Sequence, residues 1–402
     1  MKPIYLDYAA ATPIDQAIEK EMQKYTEISA NPSSIHTKGQ EAKAIINKSK
    51  QSIATILNCN HEEIIFTSGG TESNNLALQG LINNLLSNNN HNKNHNKTKQ
   101  LQTITIITTP IEHQSILKTI EAIKKTNKNK IKTIYLKVNK QGKINLQELE
   151  KTITRNCIIS IGSVNNELGT VQEIKAIGAI IKRKKKELKT NNIFFHTDAC
   201  QAEFESLNVQ DLNVDLLTLN SSKIYGPKGI GLLYKKKSVQ LQPILFGGEQ
   251  EYSLRAGTEN TIAIAGFAKA LEINEKTKKK EKKRILLLYH SFQTKMKTIK
   301  NITINSQPSH IISITIADCD SHILLQYLDQ EQIYASAGSA CTAGNNKPSH
   351  VLKAIGLSDE QANQTIRISF GRYTTKKELG IVIQKLRTMI ESLRKLNKEQ
   401  KR

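Results

Sequence analysis

Over the first two thirds of the chain, short apolar runs alternate with stretches of helical spacing, and few folds accommodate that alternation. Strand, crossover helix and parallel strand in succession build a mainly parallel sheet with helices on its faces. The strand candidates are Ile64-Ile65-Phe66, Thr103 to Ile107, Ile131 to Val138, Cys157 to Val164, Ile193 to Phe195, Val214 to Leu219 and Ile230 to Tyr234. Helical patterns lie between, as in Glu173 to Leu188, where Ile174, Ile177, Ile181 and Leu188 keep the three-to-four spacing of one buried stripe. The expectation is an α/β large domain with a mainly parallel seven-stranded sheet.

After Gly257-Thr258-Glu259-Asn260 the pattern becomes one long helical stretch to about Lys300, basic in its middle. A smaller α+β lobe follows. Its strands are expected near Ile311 to Ile316 and Thr365 to Phe370, and its last helix carries Val382, Leu386, Met389, Leu393 and Leu396 on one face. The division expected is 1–15 as a segment packing with the small domain, 16–260 as the large domain and 261–402 as the small one. Residues 83–102, rich in Asn, Lys and His, offer little to bury and read as a surface insertion. His91 and His95 within it have no Cys or acidic neighbour and are not read as a metal site.

At 402 residues the chain can bury a large core. It has no run of roughly 18 apolar residues to span a membrane, and Met1 to Asp7 holds no apolar signal core. Five dispersed cysteines disfavour a disulfide scaffold and a four-cysteine zinc site, so a reducing, cytoplasmic setting is expected. The net charge of +22 is spread over separate runs, Lys182 to Lys186, Lys235 to Lys237 and Lys278 to Arg284, without interleaved aromatics. These read as solvated helix faces, and direct binding to nucleic acid is not expected.

In open α/β sheets ligands bind beyond the carboxyl ends of the strands, and the unusual residues of this chain fall there. Thr67-Ser68-Gly69-Gly70-Thr71-Glu72 follows one strand and opens a helical run, a turn able to hold a phosphate. Glu112-His113 puts an imidazole at a strand exit, and Asn165-Asn166-Glu167-Leu168-Gly169 follows the next candidate. His196-Thr197-Asp198-Ala199-Cys200-Gln201 offers a carboxylate for a protonated pyridine nitrogen. Lys223, in Ser221-Ser222-Lys223-Ile224-Tyr225-Gly226-Pro227-Lys228-Gly229, offers an amine for a pyridoxal Schiff base.

Asp198-x-x-Gln201, Lys223 with Tyr225 to Gly229, and Gly338-Ser339-Ala340-Cys341 together resemble the cysteine desulfurases of the NifS/IscS type, within the fold-type I pyridoxal-phosphate enzymes. The similarity runs nearly end to end. It takes in Tyr5 to Pro13, Asn31-Pro32-Ser33-Ser34-x-His36, Thr67 to Asn74, Arg255-Ala256-Gly257-Thr258 and Ile366-Arg367-x-Ser369-x-Gly371-Arg372.

The resemblance implies pyridoxal 5'-phosphate as cofactor, held by Lys223, with Asp198 facing the ring nitrogen, Gln201 the ring oxygen and His113 stacked on the ring. Gly70 and Thr71 would bind the phosphate. Asn166 and Arg367 would hold the substrate carboxylate, with Asn166 also near the ring. Thr258 would reach the phosphate of a neighbouring subunit, which implies a homodimer.

Cys341 would accept sulfur from L-cysteine as a persulfide, releasing L-alanine. Acceptors would be an iron–sulfur scaffold or a tRNA thiolation enzyme. No permanent metal site is expected beyond a transient contact of Cys341 with an iron–sulfur cluster. The other four cysteines read as structural.

Where the family commonly has Ser-x-His before the lysine, this chain has Asn220-Ser221-Ser222. Asn220 and Ser222 are therefore expected to donate to the phosphate in place of that pair. The chain also ends soon after its last helix, so the longer tail with which some relatives dock a scaffold partner is not evident. The competing enzyme readings are a selenocysteine lyase or an aminotransferase of the same fold, neither of which needs Cys341. The competing class is a basic binding scaffold that has lost catalysis.

Overall fold

The structure, a computed structural model, describes residues 2–91, 103–338 and 348–400. Along the chain the strands are β1 (Ile4–Tyr5), β2 (Ile64–Thr67), β3 (Ile104–Thr108), β4 (Ile131–Tyr135), β5 (Cys157–Ser160), β6 (Ile193–Asp198), β7 (Leu216–Asn220) and β8 (Gly231–Lys235), then β9 (Ile302–Ile304), β10 (Ile311–Ile316), β11 (Ile333–Tyr334) and β12 (Thr365–Ser369). Strands β2 to β8 form one sheet in the order β2-β8-β7-β6-β5-β3-β4. Strands β3 to β7 run parallel, and β8 is antiparallel to both β7 and β2. The inner strands β3 and β5 are buried at every position, as continuous β-branched runs covered on both faces should be. Edge strand β4 is exposed at Lys132 and Tyr135.

The strands depart from expectation mainly at their ends. β5 stops at Ser160, although Ile161 and Val164 remain buried; apolar packing continues past the last ladder pair. β6 instead runs on through His196, Thr197 and Asp198. Its polar residues stay inside because His196 bonds Ser160 and Thr218, and Thr197 donates to the Ile161 carbonyl. Burial holds the His196 imidazole down at about 4, so it is neutral there.

The expected insertion is also shorter at its start. Residues up to His91 continue a helical path that runs from Gly70–Asn75 through a π-helical turn, Leu76–Gly80, into Leu81–His91. Leu81, Ile82 and Leu86 pack into the core, and that burial keeps the first polar residues helical. Residues 92–102, with His95, lie outside the described residues.

The small lobe is an antiparallel sheet, β12-β10-β9, with a parallel pair, β1-β11, beside it. Strands β1, β9 and β11 are two or three residues long, too short to show a period. The helix Thr261–Met296 serves both lobes. Its Ile264, Phe267 and Leu271 pack in the large core, and its Ile285, Tyr289 and Phe292 pack in the second. Ile4 and Leu6 belong to that second core, and Asp7 bridges to Ser369, so the chain's first residues run from the small lobe toward the sheet.

One ion pair lies deep in the large lobe. Lys50 Nζ stands 2.9 Å from Glu251 Oε2, with side chains only 6% and 3% exposed. The same oxygen accepts the Phe66 N–H at 2.8 Å. Burial pushes the Glu251 carboxyl upward, and Lys50 and the Phe66 N–H oppose that. Lys50→Met strands the carboxylate in a dry site and should cost about 3–5 kcal/mol, measured by denaturant unfolding near neutral pH. A loss under 1 kcal/mol would show that the site admits water.

Candidate active site

The carboxyl ends of the parallel strands open on a cavity of about 220 Å³. Lys223 follows β7 in a single 3₁₀ turn, Ser221–Lys223. Its Nζ donates to the carbonyls of Ala9 at 3.0 Å and Ala10 at 2.5 Å, both delivered by the N-terminal segment. Asp198, the last residue of β6, is oriented twice: Oδ2 accepts from Asn74 Nδ2 at 2.7 Å and Oδ1 from the Cys200 N–H at 3.0 Å. A carboxylate tethered by two donors stays aimed at one point of the cavity.

His113 caps the helix Gln114–Thr126. Its Nδ1 accepts the Ser115 N–H at 3.1 Å, which leaves the ring proton of the neutral form on Nε2. Burial lowers its pKa, with Lys223 acting in the same direction and Asp198 against it. The neighbouring Glu112 is buried, and its oxygens accept from Thr109 Oγ1 at 2.7 Å and from the Gly162 N–H at 2.9 Å. Burial, assisted by Asp198, pushes Glu112 up to about 8. Its carboxyl is therefore largely protonated at neutral pH and adds little negative charge beside Asp198.

Arg367, on β12 and 2% exposed, reaches across from the small lobe. Nη2 binds Asp7 Oδ1 at 2.7 Å and Nη1 donates to the Asn166 carbonyl at 2.9 Å, while Nε is buried without a partner among the described residues. Asn166 is set on the wall by an Asx turn in which Asn165 Oδ1 accepts the N–H groups of Glu167 and Leu168. Gln201 lines the same space and spends one amide hydrogen on the Ala9 carbonyl at 2.8 Å.

Of the residues expected from sequence, Lys223, Gly70, Thr71, His113, Asn166, Asp198, Gln201, Asn220 and Arg367 all line this cavity. Ser222 does not; it lies behind Asn220. Thr258 is exposed and away from the cavity. Cys341 lies outside the described residues, and to either side of it in sequence Gly338 and Ser349 meet Glu167, the neighbour in sequence of the wall residue Asn166. A Cβ on Gly338 would come 3.2 Å from Glu167 Oε2, and Ser349 Oγ donates to that oxygen at 2.5 Å.

Two features went unread in the sequence. Cys200 is a wall residue, not only a structural one, and burial drives its thiol pKa well above the ordinary value. The carbonyls of Ala9 and Ala10 carry no side-chain signal at all.

A family model described as aminotransferase class-V matches residues 4–382. The cysteine desulfurase IscS of Dictyoglomus turgidum is 36% identical over 404 residues, covering 98% of this chain and 96% of that protein. The mitochondrial cysteine desulfurase of Saccharomyces cerevisiae is 37% identical over 406 residues, covering 98% and 76%. A solved structure titled NifS-like protein superposes with a TM-score of 0.85 at 29% identity, over 97% of this chain and 99% of that one.

The chain belongs to the cysteine desulfurases of the class-V aminotransferase family. As a cysteine desulfurase it has the fold-type I architecture and takes pyridoxal 5'-phosphate.

The cavity fits that group. It offers one amine, a tethered carboxylate for a pyridine N–H and a flat imidazole. It also holds two buried polar atoms without partners among the described residues, Asn74 Oδ1 and Arg367 Nε. A Cβ at Gly70 would stand 2.8 Å from Cys200 Sγ, so glycine keeps that corner open. Among the described residues no helix is long and apolar enough to cross a membrane.

Proposed function

We propose that this cysteine desulfurase converts L-cysteine to L-alanine and collects the sulfur on Cys341. The carrying observation is that Lys223, Asp198 and His113, from three strand exits of the large sheet, and Arg367, from the middle of β12 in the small lobe, line one cavity. Bound there, pyridoxal phosphate supplies an electron sink that loosens bonds at the α and β carbons of an amino acid.

The chain's own residues do the rest. Lys223 anchors the cofactor, Asp198 faces its ring nitrogen, Gln201 its ring oxygen and His113 its face, with Gly70, Thr71 and Asn220 at the phosphate. Arg367, held by Asp7, presents its unpartnered Nε to the substrate carboxylate beside Asn166. His113 keeps Nε2 for moving protons, because Nδ1 is committed to the Ser115 N–H.

The Cys341 thiolate attacks the substrate sulfur; an S–S bond forms, the C–S bond breaks and the β carbon gains a proton. Cysteine plus thiol becomes alanine plus persulfide, so no outside oxidant or reductant is needed. Cys341 is three residues beyond Gly338, a reach of about 10 Å, and Gly338 stands beside Glu167, which follows the wall residue Asn166 in sequence.

The persulfide would pass to protein acceptors for iron–sulfur cluster assembly or tRNA thiolation, in the cytoplasm. A homodimer is supported by Thr258, exposed in this chain, and by exposed Leu245, Phe246 and Tyr252 nearby in sequence. The proposed division is 16–260 and 261–402, with 1–15 packing on the small lobe through Ile4 and Leu6, and the helix Thr261–Met296 joining the two cores. Lys184 is paired with Glu187, and Lys185 and Lys236 with the buried Asp215.

The test is alanine release from L-cysteine under reducing conditions. Cys341→Ala should lower it about a hundredfold or more while leaving the cofactor's visible band in place. Full activity in that variant would instead favour a lyase or an aminotransferase.

A further inference from the structure

The family's Ser-x-His is replaced here by Asn220-x-Ser222, and the geometry divides the two residues between different tasks. Asn220 closes β7 and lines the cavity. Its Oδ1 accepts both the Ser222 backbone N–H, at 3.3 Å, and the Ser222 hydroxyl, at 3.2 Å. A backbone N–H can only donate, so the atom facing it must be the amide oxygen, and the amide cannot be flipped. The NH₂ group is thereby turned the other way. Nδ2 lies 3.8 Å from the position a Cβ would take on Gly70, at the glycine turn that opens the helical path from Gly70 to His91.

Ser222 is itself immobilised. Its carbonyl accepts the Thr12 N–H at 2.9 Å and Thr12 Oγ1 at 3.0 Å. With its hydroxyl hydrogen given to Asn220, Ser222 has only lone pairs left, and a phosphate dianion repels those.

We propose that Asn220 Nδ2 is a direct donor to the cofactor phosphate and that Ser222 is a positioning residue acting only through Asn220. The inference rests on the desulfurase reading for the presence of the phosphate. Ser222 stands where the family has an imidazole that titrates near neutrality, and the donor left to the phosphate, the Asn220 amide, does not titrate there.

The test is retention of cofactor, read as the equilibrium dissociation constant from the visible band on titrating apoprotein with pyridoxal phosphate. Pyridoxal, which lacks the phosphate, serves as control. Asn220→Ala should weaken pyridoxal phosphate about tenfold, the worth of one hydrogen bond to a charged group. Asn220→Asp should weaken it about a hundredfold or more by adding like charge. Ser222→Ala should weaken it by a smaller factor, about threefold, and the double variant with Asn220→Ala should be no weaker than Asn220→Ala alone.

Pyridoxal affinity should be unchanged in every variant, which also verifies that each one folds. Unchanged retention in Asn220→Ala, or additive losses in the double variant, would overturn the assignment while the desulfurase reading stands. A wild type that develops no band with either compound would bring down the desulfurase reading, and this inference with it.

Discussion

Lys223→Ala is expected to abolish the visible band of the bound cofactor and to cut alanine formation by about a thousandfold or more. Among the described residues that line the cavity Lys223 is the single lysine, so no second amine stands ready to replace it. The fold should survive, because the side chain donates to the carbonyls of Ala9 and Ala10, which can be hydrated once the amine is gone. The measurement is the absorption spectrum and alanine yield of purified variant and wild type, with circular dichroism to verify folding. A variant that keeps both band and activity would mean that the anchoring amine lies elsewhere.

Arg367→Ala should act on two quantities at once. Asp7 and the Asn166 carbonyl lose their donor inside the protein, and removing one member of so buried a pair costs about 3 kcal/mol. The unpartnered Nε and the charge for the substrate carboxylate vanish as well, so KM for L-cysteine should rise about a hundredfold. Arg367→Lys keeps the charge but not the planar fork, and should recover stability more fully than KM. Cysteamine, which has no carboxylate, separates the effects: its turnover should respond little beyond the loss of stability. An unchanged KM for cysteine in Arg367→Ala would remove Arg367 from substrate binding.

Much of the site was legible because the chemistry is carried by side chains at strand exits. Asp198, Lys223, His113 and the Gly69-Gly70 turn each follow an apolar run that could be read as a strand, and the rule that ligands gather at carboxyl ends put them together. Ser222 was assigned to the phosphate by position in a motif, whereas its hydroxyl turns back to the Asn220 oxygen. The neighbours of Cys200 in sequence say nothing of Gly70, which it meets only because the turns after β2 and β6 come together in the fold. The polar composition of residues 83–91 conceals the single core residue Leu86, which packs with Leu81 and Ile82 just before them.

By itself the sequence determined the fold class and the kinds of chemical group available, since periodicity and residue type are local properties. The tertiary structure alone decided which groups meet. Ala9 and Ala10 reach Lys223 across more than two hundred residues, Arg367 reaches Asp7 across 360, and the Asn220 amide has one orientation. The physical reason is that backbone carbonyls, the two faces of an amide and a buried guanidinium take their direction from packing between lobes, which no local pattern encodes.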